Sequence, residues 1–183
     1  MVDAIKLGII GTNEGNGHPF SFSAIINGFD HEGMKNSGWD VIYNYLKVRD
    51  ASEFGFDNVK VTHAWTQDPD QTQKLARASR IPNTVVTIED MLNEVDGVII
   101  ARDDYETHYP LAKTFLEKGK CVFVDKPLSL DIAELRFFRE YLEDGKLMSC
   151  AGARYAKELD EIRGGIDNFG EMKLIRGTVI NSM

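Results

Sequence analysis

The sequence predicts an α/β protein built on a doubly wound parallel sheet. Three observations lead to this prediction. Short apolar runs recur along the 183 residues, amphipathic segments separate them, and a loop rich in glycine and asparagine follows the first run. Strands that read as continuous apolar runs are typical of parallel sheets covered by helices on both faces. The length suits one domain with a substantial core and the start of a second.

The first strand is predicted at 5–10, and the helix that follows begins at Pro19 and ends at Asn27-Gly28, a common helix stop. Residues 29–58 interrupt the pattern and are too long for an ordinary βαβ connection, with a short helix predicted at 40–46. Asp68-Pro69 forms an N-cap followed by proline at the first helical position. Further strands are predicted at 59–65, 85–86, 97–101, 121–124, 147–151 and 173–180. Further helices are predicted at 69–79, 88–93, 105–118, 131–141 and 155–162.

Composition excludes several classes of protein. Hydrophobic residues make up 43% and charged residues 27% of the chain, as in ordinary globular proteins. The formal net charge of −8 argues against a nucleic-acid binder, which needs a basic face. No signal sequence or membrane-spanning run is evident, so we expect a cytoplasmic protein. Cys121 and Cys150 flank apolar strands and are predicted to be reduced, buried thiols, and no spacing suggests a metal site.

The loop from Gly11 to His18 lies where a dinucleotide-binding fold presents backbone N–H groups to a pyrophosphate. Gly11, Gly15 and Gly17 allow sharp turns or close approach of a ligand. The spacing departs from G-x-G-x-x-G because Asn13 stands at the second glycine position, although asparagine tolerates left-handed backbone. Two interpretations stay open: a phosphate-binding loop, or a polar loop that caps the helix.

The residues at the end of the second strand also allow more than one interpretation. Dinucleotide sites commonly place an acid there for the ribose hydroxyls. Thr66 stands at that position, and Asp68 is already explained as a helix cap. Without the carboxylate, NADP is less strongly excluded. Trp65 either packs on an adenine or belongs to the core.

The segment Val122-Phe-Val-Asp-Lys-Pro-Leu-Ser129 is the most informative part of the chain. It is an apolar strand that ends on an acid, a lysine and a proline, and ligands bind at the carboxyl ends of such strands. Pro127 restricts Lys126 to extended backbone, which sets the direction of the lysine. Lys126 is therefore a candidate proton-transfer group, with a surface lysine at a strand exit as the alternative.

Five segments in order resemble the N-terminal half of the Gfo/Idh/MocA oxidoreductases, the family of glucose–fructose oxidoreductase and inositol dehydrogenase. They are Lys6-Leu-Gly-Ile-Ile-Gly11, the strand and loop from Val98 to His108, the stretch from Leu116 to Leu128, Ala151-Gly-Ala-Arg-Tyr155, and Ile166-Asp-Asn-Phe-Gly-Glu171. The resemblance implies a Rossmann domain that binds NAD or NADP. It also implies hydride transfer between that cofactor and a sugar, cyclitol or nucleotide sugar, within carbohydrate metabolism.

The resemblance also implies roles for individual residues. Lys126 would transfer the proton at the substrate hydroxyl, Asp125 would orient the ribose or nicotinamide end, and His108 would cap or brace the loop near the nicotinamide. Arg154 and Tyr155 would approach the substrate. The residues expected to bind the cofactor are Gly11, Thr12, Asn13, Gly15, Gly17, Trp65, Thr66, Ala101, Arg102, Asp103, His108 and Asp125. A helix-start histidine is the alternative for His108, and an ion pair at the domain junction is the alternative for Arg154.

The chain departs from the family pattern at several places. The glycine loop is irregular, Asp125 replaces the usual glutamate, Asp103-Asp104 replaces the usual Pro-Asn pair, and the 29–58 insertion is longer than the family norm. Family members are also considerably longer than this chain. We therefore expect a dinucleotide-binding domain at 1–152 and only the beginning of a second α+β domain at 153–183.

Three functions are compatible with these features. The first is an NAD(P)-dependent oxidoreductase present as its cofactor-binding half. The second is a non-catalytic dinucleotide-binding or scaffold protein, and the third is a plain interaction domain. If the substrate domain is missing, the 183-residue chain alone should show little dehydrogenase activity. Residues 173–180 would then be disordered, folded back on the first domain or paired in a homo-oligomer.

Overall fold

A computed structural model describes residues 4–171, 173 and 174. Its sheet has six parallel strands in the order β3-β2-β1-β4-β5-β6, which confirms the predicted doubly wound sheet. The strands are β1 (Ile5–Ile10), β2 (Val59–Trp65), β3 (Asn83–Thr84), β4 (Gly97–Ile100), β5 (Cys121–Val124) and β6 (Leu147–Met148). The strand predicted at 173–180 lies almost entirely outside the described residues.

The described part of the chain contains seven α-helices. They are α1 (His18–Asn27), α2 (His31–Lys35), α3 (Asp40–Leu46), α4 (Pro69–Ala78), α5 (His108–Leu116), α6 (Ile132–Glu143) and α7 (Asp160–Gly164). As predicted, α1 ends before Gly28, whose φ is +79°, and the Asp68 side chain caps α4 by accepting from the N–H of Asp70. The chain divides between Cys150 and Ala151 into two compact units.

Side chains of the strands contribute to two separate hydrophobic cores in the first unit, one on each face of the sheet. Ile9, Val61 and Ala64 pack with residues of α1, α2 and α4 on one face. Ile10 packs on the other face, with Phe115 of α5 and Phe138 of α6. Ile9 and Ile10 show the period of two expected of a strand, whereas a register shift in the pairing of β1 with β2 places Val61 and Ala64 on the same face. The parallel sheet brings the ends of β1, β2, β4 and β5 to one edge.

The insertion at 29–58 is more ordered than its sequence suggests. It contains the predicted helix at 40–46 and also α2, which the sequence did not reveal. The side chain of Asp30 caps α2 by accepting from the N–H of Gly33. Met34 and Leu46 are fully buried against the core beneath α1 and α4. The insertion is therefore an integral part of the first unit.

Several predictions were wrong in detail. The helix predicted at 88–93 is a 3₁₀ helix at Ile88–Met91, and the strand predicted at 147–151 comprises only Leu147–Met148. The third strand is at Asn83–Thr84 rather than 85–86, because the backbone of those residues pairs with β2 while Val86 stays exposed. The helix predicted at 155–162 is replaced by short 3₁₀ turns and the brief α7. Cys121 is exposed and Cys150 only partly buried, since the sheet face on which Cys121 lies is open at its edge. None of the described helices is long and apolar enough to cross a membrane.

The buried aromatic cluster on α5 and α6 gives a stability prediction. Phe115 is fully buried and packs among β4, β5 and α6 residues. Its replacement by alanine should cost about 3–5 kcal/mol of unfolding free energy, measured by urea denaturation, because it removes apolar contacts and leaves a cavity. Phe56→Ala is the control, since Phe56 is 54% exposed. Equal losses in both variants would contradict the assigned core.

Candidate functional site

Asp125 is the buried acid at the end of β5, and it holds the glycine-rich loop. One carboxylate oxygen, Oδ2, bonds to Nδ1 of His18 and lies 3.5 Å from Nδ2 of Asn16. The other oxygen accepts the N–H of Lys126 at 2.8 Å. Asp125 is only 3% exposed. Burial raises the pKa of Asp125, but the bonds from His18 and the Lys126 N–H outweigh it and leave that pKa below its ordinary value.

Asp103, after β4, makes a second connection to the same loop. Its N–H donates to Oδ1 of Asn13 at 3.2 Å, and its carboxylate accepts from Nδ2 of Asn13. The Asn13 side chain therefore pairs with both the backbone and the side chain of one residue across the sheet edge. This pairing gives Asn13 a structural role at the position where the dinucleotide fingerprint has its second glycine.

Lys126 lies between these two connections. Its Nζ is 3.9 Å from Oδ2 of Asp103, and the two side chains are 48% and 37% exposed. At such exposure the ion pair contributes little to stability, typically under about 1 kcal/mol. The arrangement instead leaves the lysine ammonium accessible at the carboxyl edge of the sheet, with one carboxylate to orient it.

A third network joins the ends of β1, β2 and β4. Nε2 of Gln67 donates to the carbonyl of Thr12 at 2.5 Å, and Oε1 of Gln67 accepts from Arg102 at 2.9 Å. Arg102 also pairs with Asp104 through two nitrogens. Burial raises the pKa of Asp104, but the guanidinium outweighs it and the pKa lies below its ordinary value. The guanidinium of Arg102 is thus already bonded to side chains of the protein.

A cavity of about 330 Å³ opens beside the loop. Thr12, Asn13 and Gly15 line one side, Gln67 and Gln71 another, and Trp39 of the insertion closes it. Sequence reasoning missed Gln67, Trp39, Asn16 and His18. The Gln67 side chain follows the predicted acid position by one residue, which was the only available signal for it. Nothing local marks Trp39, because its place depends on the fold of the insertion.

Two predicted cofactor residues are engaged elsewhere. The indole N–H of Trp65 donates to the carbonyl of Val86 at 3.1 Å, and its ring packs on the core that contains α5. This placement favours the core interpretation of Trp65 over adenine stacking. Thr66 is buried, and its hydroxyl bonds to the Asp68 carbonyl and to Oγ1 of Thr72. Thr66 therefore stabilises the start of α4.

His108 is fully buried at the start of α5. Nε2 lies 2.9 Å from the carbonyl of Arg102, and Nδ1 lies 3.1 Å from the carbonyl of Leu128. The ring therefore connects the loop after β4 to the loop that carries Lys126. This is the bracing geometry implied by the resemblance, whereas contact with a nicotinamide stays a prediction.

The surroundings of the loop fit a nicotinamide dinucleotide. The first turn of α1 contains no acidic residue, and the positive end of the helix dipole faces the loop, where the N–H of His18 donates to Oδ1 of Asn16 at 2.8 Å. Gly15, with φ +78°, has open space where a Cβ would stand. Gly11 and Gly17 are instead required by close packing. A Cβ at Gly11 would lie 2.3 Å from Cγ of Pro19, and a Cβ at Gly17 would lie 2.5 Å from Cδ1 of Ile42. Ala101 is buried beside Gly11.

Arg154 and Tyr155 belong to the second unit. They lie in the 3₁₀ turn Gly152–Tyr155 and are exposed. The carbonyl of Arg154 accepts from Arg163 of α7. Their predicted approach to the substrate stays a prediction.

The lowered pKa of Asp125 gives a pH prediction. A carboxyl group whose pKa is lower in the folded protein stabilises the fold above its unfolded pKa of about 3.9, and this contribution is lost as the pH falls through the folded value. Asp125→Asn should therefore destabilise the protein at pH 7, and the difference from wild type should shrink below about pH 4. Urea denaturation across pH tests this, with Asp57→Asn at an exposed position as control. A difference that does not change with pH would contradict the assigned role.

Comparison with known proteins identifies the family. The model of an oxidoreductase family with an NAD-binding Rossmann fold, GFO_IDH_MocA, matches residues 5–150. The "Putative UDP-kanosamine synthase oxidoreductase subunit" of Amycolatopsis mediterranei is 28% identical over 115 residues, which are 62% of this chain and 32% of that protein.

Two solved structures share the fold. Myo-inositol 2-dehydrogenase from Lactobacillus plantarum superposes with a TM-score of 0.62 at 18% identity, over 91% of this chain and 42% of that one. Scyllo-inositol dehydrogenase from Lactobacillus casei, with bound NAD(H) and scyllo-inositol, gives 0.58 at 17% identity, again over 91% and 42%. The chain thus spans less than half the length of these proteins. The family match over 5–150 confirms the predicted nicotinamide dinucleotide cofactor, and the chain belongs to the Gfo/Idh/MocA oxidoreductase family.

Proposed function

We propose that this chain is the cofactor-binding half of an NAD(P)-dependent oxidoreductase that acts on a sugar, a cyclitol or a nucleotide sugar, with Lys126 as its proton-transfer residue. The observation that carries the proposal is the position of Lys126. Its ammonium is accessible at the carboxyl edge of the sheet, 3.9 Å from Asp103 and next to the glycine-rich loop. A cytoplasmic location fits this function.

Each neighbouring residue has a definable task in the proposal. The loop from Gly11 to Gly17 and the N-terminus of α1 hold the pyrophosphate, and Gln67 and Trp39 border the cavity that receives the adenosine end. Asp125 fixes the loop next to the lysine. A bound nicotinamide dinucleotide supplies the group that accepts or donates hydride. Lys126 acts here in two protonation states: its neutral amine takes up the hydroxyl proton when the alcohol is oxidised, and its ammonium returns a proton in the reverse direction.

Support for the substrate class comes from the relatives. The solved structures are named as inositol dehydrogenases, and the curated relative as a subunit of UDP-kanosamine synthase. Inositol and kanosamine, the compounds in these names, are both six-membered rings that carry several hydroxyl groups. We also propose that Arg154 and Tyr155 of the second unit contact the substrate. We also propose that the protein forms homo-oligomers.

Replacement of Lys126 tests the catalytic assignment. In the complete enzyme, Lys126→Ala should lower kcat by about 10²–10⁴-fold, the usual contribution of a positioned acid or base, and leave NAD(P)H affinity nearly unchanged. Steady-state kinetics and fluorescence titration of the cofactor provide the two measurements. Lys118→Ala, at an exposed lysine after α5, is the matched control. Near-normal turnover of Lys126→Ala would show that Lys126 is a surface lysine without a catalytic role.

Replacement of Gly11 tests the cofactor site separately. A side chain at Gly11 would collide with Pro19 at 2.3 Å and approach the carbonyl of Ala101 at 3.2 Å, so the loop must shift. Gly11→Val should therefore weaken NADH binding by on the order of tenfold or more, a loss of about 1.4 kcal/mol. Gly152→Ala adds a methyl group where no atom lies within 4 Å and serves as control. Unchanged NADH affinity in a folded Gly11→Val protein would show that the cofactor lies elsewhere.

A further inference from the structure

A second cavity lies at the opposite edge of the sheet from Lys126. It has a volume of about 320 Å³ and opens where α1 ends, where α4 ends and where β2 begins. The 29–58 insertion supplies more than half of its lining, including His31, Lys47 and Arg49. The amide of Gly55 bonds to the carbonyl of Ile25 at 2.8 Å, which fixes the end of the insertion against α1. This part of the insertion has no role in the cofactor site.

The charge of this cavity is opposite to that of the chain. Four cationic side chains from three parts of the fold line it, while the whole chain carries a formal charge of −8. They are Lys47, Arg49, Lys60 and Arg80. None of the described residues that line the cavity is acidic. Arg49 pairs with Glu53 at 3.3 Å, whereas within the described part of the chain the other three cations have no carboxylate within 4.0 Å.

Arg80 adds an observation of a different kind. It is the only non-glycine residue of the described chain with a positive φ, at 52°. It follows α4 in the left-handed position that closes a helix, where the N–H of Ile81 bonds back to the carbonyl of Ala76 at 2.9 Å. Glycine is favoured at that position because it has no Cβ. The guanidinium reaches over Gly28, since a Cβ built on Gly28 would lie 3.5 Å from Nη1 of Arg80. A residue that strains the backbone thus brings a charge into the cavity.

We propose that this cavity, which we call the basic pocket, binds a small metabolite through a phosphate group. Guanidinium groups match the geometry of phosphate oxygens, and lysines add point charges. The volume is at the lower end of the range for small-molecule sites. Phe29 and Phe54 meet edge to face with centroids 5.5 Å apart, and the His31 ring lies 4.7 Å from Phe29, so the wall also offers an apolar surface to the rest of the ligand.

Titration of the full chain with inorganic phosphate and with uridine monophosphate tests the proposal at low ionic strength. The readout is the shift of backbone amide resonances of ¹⁵N-labelled protein. Shifts should concentrate at Gly28, Gly55 and Lys60, and uridine monophosphate should bind more tightly than phosphate. Citrate serves as a carboxylate competitor, and saturating NADH is added in a parallel titration to occupy the cofactor edge.

Arg80→Gly separates binding from folding. It should weaken phosphate binding by on the order of tenfold, equivalent to one charge-assisted contact, while Tm stays the same or rises because glycine relieves the left-handed backbone. Lys47→Gln should weaken binding without affecting the strained position. Lys74→Gln, with the same change of charge on the exposed side of α4, should leave binding unchanged.

Four results would overturn the proposal. The first is the absence of saturable shifts with either phosphate compound. The second is binding that survives both Arg80→Gly and Lys47→Gln. The third is binding that saturating NADH abolishes while the shifts map to Gly15 and Gly17, which would place the anion on the glycine-rich loop. Tighter binding of citrate than of either phosphate compound would refute the assigned ligand class.

Discussion

The attachment of the glycine-rich loop to Asp125 is the interaction on which the candidate site depends. The loop is long and irregular, and its glycines alone would leave its conformation undetermined. His18 and Asn16 both contact one buried carboxylate whose other oxygen accepts the N–H of Lys126. A single acid therefore sets the position of the loop, the end of β5 and the backbone of the lysine. Without these partners, a carboxylate at 3% exposure would be strongly disfavoured.

Secondary-structure elements that depend on local sequence patterns were predicted correctly from the sequence. Apolar runs predicted β1, β2 and β5 with the bounds found in the structure, and the Asp68-Pro69 cap predicted the start of α4. Segments with little periodicity were harder: the two-residue β3 is defined only by its pairing with β2, and the 155–162 segment breaks into short turns. Cys121 was misassigned because burial of one strand face depends on which helix covers it, and residue type does not report this.

The site was predictable only in part, for the same physical reason. Lys126 and Asp125 follow an apolar strand, so their place at the sheet edge could be inferred. The partners of Asp125 could not, since His18 is 107 residues away in the chain and no local rule relates the two. Thr66 was assigned to the cofactor from its position, yet its hydroxyl serves the α4 start. Gln67, one residue later, reaches Thr12 and Arg102 instead.

Asp103 shows how a departure from the family pattern can change a site while the fold is kept. The resemblance places a proline at this position, which has neither a charge nor an N–H to donate. In this chain the residue donates its N–H to Asn13 and presents its carboxylate to both Asn13 and Lys126. The loop and the lysine consequently share one partner. Any displacement of Asn13 by a ligand at the loop changes the contacts of Asp103, and with them the electrostatic surroundings of Lys126. Replacing Asn13 would leave the Asp103 carboxylate with Lys126 alone, and replacing Asp103 would leave Asn13 only the backbone N–H of that residue.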